Sequence, residues 1–222
     1  MSNLVLITSV INTPKTPLSY SKIRSVFTRK ERYEQTKKTI ESIKEKIPNH
    51  KIMIVECTDF TEAEKSYFKK ECDYVLNLWG KKELHSNIFG KSKSLGEGTM
   101  TIQALKYIIK NKFEYKNLFK ICGRYWLNND FNYKIFDNSN LMFKKIRGNI
   151  DNIFTSFYKI TNNNVNILLE FLIKTENHMK NIIGYEVLFG HYLNHIKYDN
   201  VVFVNKIGYE GQVTICGSNY VG

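Results

Sequence analysis

The stretch 118-LFKICGRYWLNND-130 decides the fold. Its first five residues are a short apolar run that reads as a β-strand, and the run breaks at Gly123 into Arg124 and Tyr125. Lysine, glycine and arginine rarely share a strand interior, so residues 123–125 mark the strand's carboxyl end. Lys120, inside the run, needs either solvent or an anionic partner. A planar guanidinium at a strand end, as at Arg124, suits bidentate contact with phosphate. A structural carboxylate is its ordinary alternative partner.

Working outward, a helix is expected from Thr99 to Lys112, with Ala104, Leu105, Ile108 and Ile109 on its buried face, preceded by a polar loop over about 80–98. Residues 4–11, 51–57 and 74–78 read as three further strands. Between them lie a helix from Arg29 to Lys46, with Ile40, Ile43 and Ile47 on one face and Pro48-Asn49 as its stop, and a second from Thr61 to about Cys72. Glu64, three residues after Thr61, completes a capping box. This β-α-β-α-β-loop-α-β order predicts a parallel, doubly wound sheet. Such sheets bind ligands at the carboxyl ends of their strands, near the point where strand order reverses.

Downstream the pattern changes. Residues 141–146 and 153–159 read as short strands of antiparallel character, about 164–180 and about 183–196 as helices, and 201–206 as a last strand. No repeat or linker interrupts the chain. One domain over 1–222 is expected, with a nucleotide-binding half (about 1–127) and an acceptor, catalytic half (about 128–222).

Composition sets bounds. A 42% hydrophobic share in 222 residues is enough for a buried core, and 14% aromatic content argues against disorder. Cys57, Cys72, Cys122 and Cys216 form no CxxC pair, which argues against zinc, and buried reduced thiols are expected. The apolar run at 4–11 is too short to span a membrane and lacks a basic leader, so a soluble, cytoplasmic protein with no membrane span is expected. The 33 basic and 21 acidic residues give a net charge of +12, which favours anionic partners, but the lysines are scattered along the whole chain. A nucleic-acid-binding module would interleave basic residues with exposed aromatics, whereas the aromatics here fall in apolar periodic runs. A sugar nucleotidyltransferase would carry a glycine-rich loop after the first strand, and 8-TSVINTPKTPLS-19 has no glycine.

Three more segments could carry chemistry. Thr8 and Ser9 stand at the end of the first strand, and Arg24, Arg29, Lys30 and Arg32 crowd the start of the first helix. Cations there oppose the helix dipole unless an anion offsets them. Residues 91-KSKSLGEGTMTIQAL-105 run a glycine-bearing loop into a helix, offering N–H groups and positive charge to phosphate or ribose, without a P-loop motif. Gly96 and Gly98 could equally be turn and cap residues. In 181-NIIGYEVLFGHYL-193, Glu186 follows Gly184 at the start of an apolar helix, either as a capping carboxylate or, facing a cleft, as a general base. His191 and His195 have metal-binding spacing but no third ligand nearby.

Taken in order, TSV (8–10), RSVFTRKERYEQTKKTIESI (24–43), IVE (54–56), KSLGE (93–97), KICGRYWL (120–127) and GYEVL (184–188) resemble GT-A-type glycosyltransferases, in particular transferases of viral and bacterial surface-glycan clusters. The likeness spans nearly the whole chain. GRY and the R-x-x-Q-T-x-x-T-I helix are its more specific elements. It implies a Rossmann-like, mostly parallel sheet flanked by helices, with a smaller mixed region on the acceptor side. It implies a UDP- or GDP-linked sugar donor, a glycan or glycoprotein acceptor, and transfer with inversion. By the same likeness Thr8, Ser9 and Arg32 hold the nucleotide, and Lys93, Gly96 and Glu97 close over it. Lys120, Gly123, Arg124 and Tyr125 meet the diphosphate, and Glu186 is the base. The family's DxD motif, which binds Mn²⁺ or Mg²⁺, is replaced here by GRY. Either Arg124 and Lys120 supply the metal's charge, the reading preferred, or Asp130 supplies a single ligand.

Overall fold

The computed structural model describes residues 2–195 and 200–222. The first half follows the expected alternation: β1 (Asn3–Ser9), α1 (Arg29–Lys46), β2 (His50–Glu56), α2 (Glu62–Glu71), β3 (Tyr74–Asn77), α3 (His85–Phe89), α4 (Lys93–Lys110) and β4 (Asn117–Cys122). Then come β5 (Tyr125–Leu127), α5 (Tyr133–Phe136), β6 (Leu141–Phe143), β7 (Lys145–Ile146), β8 (Asn149–Ile153) and β9 (Phe157–Thr161). The chain closes with α6 (Val165–Lys174), α7 (Glu176–Lys180), α8 (Tyr185–His195), β10 (Val201–Phe203), β11 (Tyr209–Gln212) and β12 (Asn219–Val221).

Among the described residues seven strands form one sheet in the order β10-β6-β9-β4-β1-β2-β3. β3, β2, β1 and β4 are mutually parallel, and β9 runs antiparallel between β4 and β6. Every residue of β1 is buried, as a central strand covered on both faces must be. Its alternation divides the core. Leu4 and Leu6 face the layer of α4, with Ala104, Leu105 and Ile108; Val5 and Ile7 face α1, with Ile40 and Ile43. No helix among the described residues is long and apolar enough to cross a membrane.

Capping chemistry fixes the helices that the sequence places well. Thr61 and Glu64 form the expected capping box on α2, and Thr28 and Glu31 form another on α1. Elsewhere the structure corrects the reading. α4 starts at Lys93, capped by Ser92, so the segment KSLGE is helical and not a loop. Gly96 and Gly98 are therefore neither turn nor cap residues. A Cβ at Gly96 would stand 2.8 Å from the Ile88 carbonyl oxygen, so glycine lets α3 lie directly against α4. Ile109, at the edge of the buried stripe, is 37% exposed. The helix expected over 164–180 divides at Thr175 into α6 and α7. α8 carries the next expected helix as far as His195, and position 196 lies outside the described residues. The last strand shortens to Val201–Phe203, and β5, β11 and β12 form an additional antiparallel sheet. Those strands are three or four residues long and pair across the chain, Trp126 opposite Glu210, so no local periodicity announces them.

Candidate active site at the switch point of the sheet

β2 lies on one side of β1 and β4 on the other, so strand order reverses between β1 and β4, and a cleft opens above their carboxyl ends. It holds about 980 Å³ of empty space, counting its open mouth. Thr8, Ser9, Arg32, Lys93, Gly96, Glu97, Arg124 and Tyr125 all line it. Gly123 lies in its wall. The Gly123 N–H donates to the Thr8 carbonyl (2.9 Å), the Thr36 hydroxyl donates to the Gly123 carbonyl (2.9 Å), and a Cβ would stand 2.9 Å from that of Ser9. Glycine thus lets the end of β4 press against β1 and α1 before turning into β5.

Two arginines converge here. Arg32, on α1, is 5% exposed; its Nη2 donates to the Val10 carbonyl at 3.4 Å, while Nε and Nη1 are buried without a partner. Arg124 Nε is likewise buried and unpartnered. Neither guanidinium has an ion-pair partner among the described residues. Burial first, then the neighbouring Arg124, push Arg32 down to about 10. Burial also works against the charge of Arg124, but Tyr125, Cys122 and Glu97 outweigh it and raise its pKa. Lys93, in the first turn of α4, makes no hydrogen bond or ion pair among the described residues. Burial and Arg124 lower its pKa, with Glu186 and Glu97 opposing them.

Lys120 does not reach the cleft. It is fully buried in the wall, donating to Glu97 Oε1, to the Thr155 carbonyl (2.7 Å) and to Cys122 Sγ (3.0 Å). The anionic partner that its sequence context demands is therefore Glu97. Burial pushes the Glu97 carboxyl up, but Lys120 and then Lys93 outweigh it and hold its pKa below the usual value.

Glu186 sits half-buried in the first turn of α8, lining a smaller cavity that shares Tyr20, Lys93 and Glu97 with the cleft. Two serines at the start of α4, the cap residue Ser92 and Ser94, bring it there: Ser92 donates to the Met179 carbonyl (2.6 Å) and Ser94 to the Ile183 carbonyl (2.7 Å). They staple the start of α4 to the α7–α8 turn, where Ile182 adopts a left-handed φ of 67°, a strained value for a β-branched residue.

Several lining residues have no sequence signal. The β1–α1 loop crosses the cleft, pinned by Arg24 to the Phe89 carbonyl (3.0 Å) and by the Ser19 N–H to Lys91 (3.0 Å), and it carries Tyr20 over the mouth. Val213, Thr214 and Ile215 close the far side. The other cations at the start of α1 disperse; Arg29 pairs with Glu64 at 2.6 Å.

Glu56, at the end of β2, is fully buried and holds the root of the β1–α1 loop. Its carboxylate accepts from the Ile11 N–H (3.2 Å) and the Thr58 hydroxyl (2.7 Å). Burial is the main cause that raises its pKa from 4.5 to about 7. The folded chain thus holds this proton more tightly than the unfolded chain. The stability it contributes is full below pH 4.5 and is lost as pH rises through 7. Glu56→Gln is expected to remove that loss from a series of denaturant titrations between pH 4.5 and 7.5. An unchanged pH profile would show that Glu56 is not its source.

Asp130 is not at the cleft. It lies beyond β5, paired with Lys206 at 2.8 Å and half exposed, because β5 carries the chain away from the switch point. No group of three or more metal-ligating side chains occurs among the described residues, and the His195 side chain lies outside them. The strand end where carboxylates would hold a divalent cation presents Arg124, Arg32 and Lys93 lie beside it, and the lining carboxylate Glu97 is already paired with Lys120.

The fold is that of an α/β protein with a cleft at the switch point of a mostly parallel sheet. Among the solved structures that share the fold are the glycosyltransferase GlyE of Streptococcus pneumoniae TIGR4 (TM-score 0.53) and its apo form (TM-score 0.52), each 13% identical in sequence. Each match covers 92% of this chain and 45% of GlyE, so the chain spans less than half the length of these neighbours. At that identity the likeness is one of fold. No protein-family model matches the chain, and no curated protein matches it by sequence.

Proposed function

We propose that the chain is a metal-independent, inverting glycosyltransferase of the GT-A type. It would act as one cytoplasmic domain on a nucleoside-diphosphate sugar, UDP- or GDP-linked, and a glycan or glycoprotein acceptor. The observation that carries this reading is the buried Arg32 and the half-buried Arg124, which line the switch-point cleft together and whose Nε–H groups are buried without a partner. Buried cations without partners cost stability unless a ligand compensates them. A diphosphate supplies matching charge and bidentate geometry.

In this reading the diphosphate lies against Arg32, Arg124 and Lys93, with the first-turn N–H groups of α4 alongside. Thr8 and Ser9 meet the nucleoside. Glu186 takes the proton of the acceptor hydroxyl as its oxygen attacks the anomeric carbon. The bond from that carbon to the phosphate oxygen breaks, and its electron pair leaves with the nucleoside diphosphate. Fixed cations stabilise the departing charge in a partly dry site.

Thermal melting with nucleoside diphosphates and nucleotide sugars, with and without Mn²⁺, tests this. A ligand at 100 times its dissociation constant adds about 2.7 kcal/mol, about 5–11 °C in a chain of this size. One diphosphate should give that shift without Mn²⁺. Arg32→Met should abolish the shift yet raise the melting temperature of the free protein, because it removes an uncompensated buried charge. No shift with any nucleotide, beside salt-sensitive binding to DNA or RNA, would overturn the proposal in favour of a nucleic-acid module.

A further inference from the structure

Behind the wall made by α1 and β5 lies a second, larger groove of about 1350 Å³, counting its open mouth. The wall serves both sides. On β5, Tyr125 faces the cleft and Trp126 the groove; on α1, Arg32 faces the cleft and Gln35 the groove. From these residues we propose that the groove binds a neutral oligosaccharide chain.

Trp126 is half-buried with its ring held in place, since Nε1 donates to Glu210 Oε1 at 2.7 Å. Tyr220 lines the groove as well, giving it a second aromatic ring. Gln35 is 5% exposed; its Nε2 donates to Gln212 Oε1 at 2.7 Å, which leaves its own Oε1 buried with no partner. An unpaired buried acceptor facing a groove calls for a donor from outside. The groove's charged lining is Glu31, Glu34 and Glu210 against Lys30 and Lys38, acid-rich in a chain whose net charge is +12. Nucleotides and nucleic acids are drawn to the cationic cleft and not to this side. The groove offers acceptors at Glu34 and at Gln35 Oε1 and donors at Lys30, Lys38 and Asn219, its indole donor being already used. A peptide backbone has no flat apolar face, whereas a saccharide brings hydroxyls, each both donor and acceptor, around a ring whose C–H face lies flat on an aromatic. Carboxylates, an amide oxygen and the rings of Phe27, Trp126 and Tyr220 match that pattern.

The proposal does not depend on the transfer reaction. The chain has two tryptophans, so Trp79→Phe leaves Trp126 as the one indole reporter. Linear neutral hexasaccharides of glucose, galactose and N-acetylglucosamine would be titrated against its fluorescence, and calorimetry run on the unsubstituted protein. At least one should give a saturating signal. Gln35→Ala and Trp126→Ala, each confirmed folded by its melting curve, should weaken binding about 10-fold, as expected for about 1.4 kcal/mol, while a nucleoside diphosphate does not displace the sugar. No signal from any of the sugars at about 10 mM, or affinity unchanged by both substitutions, would overturn the proposal. Nucleotide-induced melting shifts report on the cleft separately, so failure of one reading is distinguishable from failure of the other.

Discussion

Glu186→Gln is expected to lower sugar transfer by about 10²–10⁴, the range for a lost general base, while the nucleotide-induced melting shift stays intact. Glutamine keeps the shape of the side chain, so the first turn of α8 and its packing should survive. What it removes is the ability to accept the acceptor's proton. Glu186 has the position for that task, at the junction of the cleft with the smaller cavity and within the electrostatic reach of Lys93 and Tyr20. Glu97, the carboxylate that lines both cavities, is bound to Lys120 and held ionised by it. A variant that retains full turnover would place the base elsewhere. A variant that loses turnover and the melting shift together would make Glu186 part of donor binding.

Lys120→Met should cost about 3–5 kcal/mol, because it takes from the mostly buried Glu97 its ion-pair partner and leaves only Lys93 and Arg124 to offset its charge, and should lower the melting temperature by about 6–20 °C. Pairing it with Glu97→Gln should recover most of that loss, since a buried ion pair can often be replaced by uncharged groups of similar volume. The double variant also separates two roles for Lys120. If Lys120 acts only through Glu97 and Cys122, as its hydrogen bonds indicate, the refolded double variant should keep its nucleotide response. A single variant that melts within about 1 kcal/mol of the parent would show that the pair is not holding the wall. A stable double variant with no nucleotide response would place Lys120 or Glu97 in donor binding.

The site was legible in the sequence where chemistry and strand ends coincide. The lysine, glycine and arginine of KICGRY disclosed a carboxyl strand end, and Thr8, Ser9, Arg32, Arg124 and Tyr125 do line one cleft. Tyr20 and the segment Val213–Ile215 were not legible, because an exposed loop and the turn between β11 and β12 have no periodicity. Asp130 was misleading. Its distance from the cleft is set by the direction of β5, and that direction comes from pairing with β11, far along the chain.

By itself the sequence determined what local interactions dictate. The buried central strands, the limits of α1 and α2 with their capping residues, and the parallel order of the first half all follow from periodicity and from side chains within four residues of one another. Tertiary structure alone decided which charges are paired. Lys120 meets Glu97 across 23 residues of chain and is neutralised, whereas Arg32 and Arg124 meet each other and are left with open N–H groups. The cost of a buried charge depends on what the fold brings beside it, and no local stretch of sequence contains that neighbour.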